Sequence, residues 1–215
     1  MKSIFTPFTV TAAALAILIV AGLVAFLVDR AQSPGPSANP AIIRDDTQVL
    51  DDGGEDAVTV VEFLDFECEA CGATYPVVEE LREKYAGRIT YAVRYFPLPG
   101  HANSTTAAVA AEAAAQQDRF EDMYHRLFQT QSSWGEAQES QAGAFRSYAA
   151  EMGLDMVAYD EAVADPATAA RVRSDFDDAR ALGVRSTPTF FIDGAPLVLQ
   201  GVNDLENAVK AAVER

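Results

Sequence analysis

Cys68 and Cys71, in the stretch FECEACG from Phe66 to Gly72, are the only two cysteines among 215 residues. A C-x-x-C arc brings two sulfurs within bonding range, so three chemistries open: thiol–disulfide exchange, half of a metal site, or an inert structural cross-link. Zinc needs about four ligands in a tight cluster, and the sequence adds only two distant histidines, His101 and His125. No metal and no cofactor is expected. Exchange makes the largest demand on the surroundings, because it needs one sulfur that ionises readily and a second that attacks after it.

The neighbouring elements meet that demand. VTVVEFLDF, Val58 to Phe66, is an apolar, β-branched run that reads as a buried strand. After it, Cys71, Tyr75, Val78, Leu81 and Tyr85 recur at intervals of three and four, the face of a helix. Cys68 then stands near a helix amino terminus, where unpaired N–H groups and the helix dipole favour a thiolate, and Cys71 lies one turn inside. This makes Cys68 the nucleophile and Cys71 the resolving thiol. Glu62, if its strand turns it inward, is isolated in an apolar setting that raises its pKa, and it can take the proton of Cys71; turned outward it is only a solvated acid. Glu67, Glu69 and Ala70 flank the thiols, and the two acids are expected to oppose ionisation of Cys68. His101, in a loop after the second strand, and His125, on a helix, point to no definite role.

Further elements follow in order. ITYAVRYFPL, Ile89 to Leu98, reads as a second strand, and from Asn103 to Leu182 the pattern is helical, with stripes such as Phe120, Met123, Tyr124, Leu127 and Phe128 assigned to core packing. Ala107 to Ala115 permits close helix approach. Asp193-Gly194 reads as a hairpin turn between Thr189 to Ile192 and Leu197 to Gln200, before a closing helix from Asn203 to Val213.

Charge and the amino-terminal region set the context. A net charge of −16, from 16 Lys and Arg against 32 acids, excludes a nucleic-acid partner and argues against adsorption to anionic lipid. Thr9 to Val28 is a run of twenty uncharged residues, long enough to span a bilayer core. It is read as a retained membrane anchor following a cytoplasmic segment, residues 1–8. The rival is a cleaved secretory signal, against which Asp29 stands three positions from a cut after Ala31. Residues 29–57, rich in Pro and acids, read as a solvated linker, leaving 58–215 as the folded domain.

Beyond the C-x-x-C, several separated features resemble the thioredoxin superfamily, and specifically its membrane-tethered or secreted DsbA-like branch in bacteria. They are Glu62 six residues before Cys68, Pro76 five after Cys71, Thr187-Pro188 before a strand, and the run RYFPLPGHANSTTAAVAAEAA with FEDMYHRLF. The resemblance implies an α/β thioredoxin-like fold interrupted by a helical insertion domain, here at about 103–182. It further implies a helix-kinking Pro76, a cis peptide at Thr187-Pro188, and a Thr187 backbone that pairs with an extended substrate. The best-known oxidants of this branch carry Pro-His between the cysteines; Glu69-Ala70 departs from that.

The function expected on these grounds is an extracytoplasmic thiol-disulfide oxidoreductase, an oxidase that introduces disulfides into exported, incompletely folded proteins. A reductase or isomerase, and a non-catalytic peptide-binding or chaperone-like domain on the same fold, are the alternatives. The expected setting is a single-pass protein of the cytoplasmic membrane with its catalytic domain outside, acting as a monomer. Its expected partner is a reoxidising, quinone-linked membrane oxidoreductase of the DsbB or vitamin K epoxide reductase-like type.

Overall fold

The structure, a computed structural model, describes residues 41–201 and 203–215. The expected anchor at 9–28 and the linker up to residue 40 lie outside the described residues. Among those described, no helix is long and apolar enough to cross a membrane.

The chain runs β1 (Gln48–Asp51), β2 (Val58–Leu64), α1 (Glu69–Lys84), β3 (Ile89–Tyr95), then six helices: α2 (Ser104–Ala115), α3 (Phe120–Gln129), α4 (Gln131–Trp134), α5 (Ala142–Glu151), α6 (Met156–Ala164) and α7 (Pro166–Ala181). It closes with β4 (Thr189–Ile192), β5 (Ala195–Leu197) and α8 (Asp204–Val213). The five strands form one sheet in the order β1-β3-β2-β4-β5. β2 and β3 are parallel, joined by the crossover helix α1, and the other pairs are antiparallel. This is a mixed α/β thioredoxin-like arrangement with a helical insert between β3 and β4.

β2 reads as a nearly continuous apolar run because it is paired on both sides and covered on both faces. Its two-residue period places Val60, Glu62 and Leu64 on the face that packs with Cys71, Val78 and Leu81 of α1. Val61 and Phe63 point the other way, into a cluster with Ala92, Phe96, Ala179, Val184 and Phe191. The same core continues into the insert through the alanine-rich α2, whose Ala107, Ala110, Ala111, Ala113 and Ala114 are buried.

Two expectations require correction. The folded body begins before Val58: Gln48 pairs with Val93, Val49 with Ala92 and Asp51 with Tyr91, so the end of the acidic segment is an edge strand. Its charges serve as ion-pair partners; Asp51 lies 2.5 Å from Arg82, and Arg44 meets both Asp175 and Asp178 of α7. Asp175 and Asp178, with Arg44, Arg94 and Arg171, bind the segment before β1, the sheet and the last insert helix into one largely buried network. The second correction concerns the hairpin. Asp193 and Gly194 both have positive φ, 47° and 78°, which forms a two-residue turn of the kind that fits strand twist. That turn pairs Ile192 directly with Ala195, so β5 occupies Ala195–Leu197 and not Leu197 to Gln200.

Candidate active site

The site forms where β2 ends and α1 begins. Cys68 is the N-cap of α1, with extended dihedrals (φ −68°, ψ 122°) and no side-chain cap. Its N–H donates to Asp65 O at 3.1 Å, and its carbonyl accepts from Gly72 N at 3.0 Å, so it is held at the last non-helical position. The first-turn N–H groups therefore converge near its sulfur. The Asp65 carboxylate organises the turn: it accepts from Glu67 N–H at 2.9 Å and Leu98 N–H at 3.0 Å, and it bonds His101 Nδ1 at 2.6 Å.

Both cysteines are free thiols and both are buried, Cys68 at 6% exposure and Cys71 at 1%. The Cys68 thiol is pulled down to about 5: the chief cause is the Cys71 thiol donating to it, opposed by burial and reinforced by Thr187 and by the backbone N–H groups of Cys71 and Ala70. As a thiol, Cys68 donates to Thr187 O across 3.6 Å. As a thiolate it becomes an acceptor for the Thr187 hydroxyl, a buried group that otherwise lacks a partner. Burial, with Cys68 and the nearby Glu62, pushes the Cys71 thiol well above its ordinary value. The two sulfurs are thus split into one anion and one protonated thiol.

Glu62 lies beneath them, 2% exposed. Burial pushes its carboxyl up to about 7, partly countered by the Tyr91 hydroxyl donating to Oε2 at 2.5 Å and supported by the charges of Glu79 and Cys68. A carboxyl in that range takes or gives a proton near neutrality. Thr187-Pro188 is cis. Pro76 lies inside α1, where its missing N–H leaves the Gly72 carbonyl without the usual helix partner.

The acidic flanks behave differently from expectation. Glu67 is turned inward, and its carboxylate accepts Asn103 N–H at 2.6 Å. Glu69 is exposed to solvent. The dominant influences on Cys68 are thiol and N–H donors, so it ionises readily despite both acids. His101 belongs to this site: burial lowers its pKa, but the Asp65 carboxylate, Cys68 and Glu67 outweigh that and raise it. His125 stands in another cluster, bonding Tyr75 OH through Nδ1 at 2.8 Å beside Glu79 and Glu121. Asp65, Tyr91 and Asn103 were not read from the sequence as site residues. The available signal was Asp65, a turn-forming acid directly after the strand and three residues before Cys68.

Residues 44–211 match the family model described as Thioredoxin. The crystal structure of a thioredoxin-like oxidoreductase from Silicibacter pomeroyi DSS-3 superposes with a TM-score of 0.66 at 26% identity, covering 85% of this chain and 99% of that one. Wolbachia pipientis alpha-DsbA1 superposes with a TM-score of 0.67 at 19% identity, covering 80% of this chain and 93% of its own, which shows a common fold. In sequence, 141 residues are 39% identical to part of the Na(+)/H(+) antiporter NhaA 3 of Salinispora tropica, 65% of this chain but 21% of that protein. The chain spans about a fifth of the length of such antiporter relatives.

Proposed function

Because the chain belongs to the thioredoxin family, as a thiol-disulfide oxidoreductase of DsbA-like architecture, we propose that Cys68-Cys71 serves as a disulfide donor to exported proteins. The observation that carries this reading is the split pair: a Cys68 thiol pulled down to about 5 beside a Cys71 thiol pushed well up. Stabilising the reduced thiolate makes the corresponding disulfide a stronger oxidant.

In the donating direction, a substrate thiolate attacks Cys68 Sγ of the disulfide. The Cys68–Cys71 bond breaks, a substrate–Cys68 bond forms, and Cys71 leaves with the electron pair. Glu62, with its carboxyl near 7, supplies the proton that turns Cys71 into a neutral thiol. A second substrate thiolate then attacks its own sulfur in the mixed disulfide and expels Cys68 as the stabilised thiolate. The substrate has lost two electrons and the protein has gained them. The Thr187 main chain, 3.6 Å from Cys68 Sγ at its carbonyl, is where an extended substrate segment would pair.

Each turnover leaves a dithiol that must be reoxidised. The proposed acceptor is a quinone-linked membrane oxidoreductase of the DsbB or vitamin K epoxide reductase-like type, met outside the cytoplasmic membrane by a domain anchored through Thr9 to Val28. Transport by the antiporter relatives is not carried over, because the match covers only a fifth of their length.

The assignment of roles is tested by trapping. Cys71→Ala should accumulate a mixed disulfide through Cys68, and Cys68→Ala should accumulate none. Equal adducts on both variants would overturn it. For the setting, a membrane-impermeant thiol reagent should label reduced Cys68 in intact cells, and labelling only after lysis would reverse the topology.

A further inference from the structure

We propose that Gln131, on the helical insert, is a positioning residue for Cys68. Its Nε2 donates to Phe66 O at 2.8 Å and to Cys68 O at 2.9 Å, the two carbonyls that bracket the turn into α1. Without this donor Phe66 O would lose its amide partner and Cys68 O would keep only Gly72 N–H, which leaves more negative dipole beside a thiolate and removes one of the restraints on the N-cap. Paired, the two carbonyls turn their charge into the amide and hold Cys68 at the dihedrals that present it to the helix N–H groups.

The fit is built from both sides. A Cβ at Gly72 would lie 2.0 Å from Gln131 Oε1, and a Cβ at Gly135 would lie 2.9 Å from the Gln131 carbonyl oxygen. Neither position needs glycine for its backbone: Gly72 is inside α1, and Gly135 has φ −58°. Glycine within a helix is disfavoured by about 1 kcal/mol relative to alanine, so its presence at 72 is explained by the space that Gln131 occupies. The residue is also firmly mounted. Trp134 of the same short helix is buried, its Nε1 donates to Leu127 O at 3.2 Å, and its ring meets Phe145 edge-on at 4.9 Å. Through Gln131 the insert thus contributes to the redox centre as well as covering it.

This role rests on the thiol-exchange reading above, and the test separates the two. Thiolate absorbance, the redox equilibrium with glutathione and thermal stability are measured for the reduced and oxidised full chain and for Gln131→Met, Gln131→Ala, Gly72→Ala and the Gln131→Ala/Gly72→Ala double variant. Losing the donor should raise the Cys68 pKa by roughly half to one unit and make the disulfide about three- to tenfold less oxidising. Gly72→Ala alone should act in the same direction by displacing the amide, and should add nothing in the Gln131→Ala background, where the clashing atom is gone. Unchanged thiolate absorbance and glutathione equilibrium in both Gln131→Met and Gly72→Ala, whatever their stability, would overturn the assignment to Gln131 alone. A wild-type chain that exchanges no disulfide with glutathione would overturn the functional reading and this role with it.

Discussion

Lowering the pH should selectively destabilise the reduced protein, because Cys68 titrates in the folded state four units below its ordinary value. The folded thiol ionises at about 5 against an ordinary 9.0. A depressed pKa contributes stability that is complete above the unfolded value and disappears as pH falls through the folded one. The window therefore runs from about pH 9 down to about pH 5, at about 1.4 kcal/mol per unit. At pH 7, two units above the folded value, about 2.7 kcal/mol of this remains, equivalent to about 60 mV of oxidising strength for a two-electron couple. The oxidised protein has no Cys68 thiol and lacks this contribution. Urea unfolding of both forms between about pH 4 and about pH 8 should show the reduced form gaining on the oxidised one as pH rises, with thiolate absorbance appearing around pH 5. A gap independent of pH, with alkylation of Cys68 titrating near 8.5 to 9, would refute the thiolate-centred account.

The remaining expectations concern the groups around that thiolate. Glu62 has a carboxyl raised from 4.5 to about 7, so it destabilises the fold progressively as pH climbs through that interval. Glu62→Gln should be more stable than wild type at pH 8, by up to about 3 kcal/mol in urea unfolding. The same variant should resolve mixed disulfides more slowly in stopped-flow traces and lose the wild-type inflection near pH 7. Asp175 is fully buried against Arg94 and Arg171 and also accepts Tyr95 N–H at 3.1 Å. Asp175→Asn should cost about 3–5 kcal/mol of stability and leave the Cys68 thiolate absorbance of the folded fraction unchanged.

The part of the site nearest the cysteines was legible because its signals are local. A β-branched run followed by a three-and-four periodicity puts Cys68 at a helix start, whereas the run is apolar on both faces, so the sequence leaves the direction of Glu62 open and only the fold turns it inward. The rest depends on partners that meet only in the fold. β1 is four residues of mixed polarity among acids, and only its pairing with β3 distinguishes it from linker. Glu67 points inward because Asn103 offers it an N–H from another loop, a direction its own flanks do not encode. The Asp65–His101 pair joins residues 36 apart. Gln131 reaches Cys68 from the insert, 63 positions away, and nothing in QSSW distinguishes it from a surface polar residue. The assignment of Glu67 and Glu69 as opponents of ionisation followed from formal charge, whereas the geometry surrounds the sulfur with donors.

The claim that this couple runs as an oxidase is tested most directly by its redox equilibrium with glutathione at pH 7, in the folded chain. A stabilised Cys68 thiolate predicts a potential well above about −200 mV, together with transfer of the disulfide to a reduced, unfolded protein. A value near the roughly −270 mV of thioredoxin, with efficient reduction of protein disulfides, would contradict it and assign the same two cysteines to a reductase.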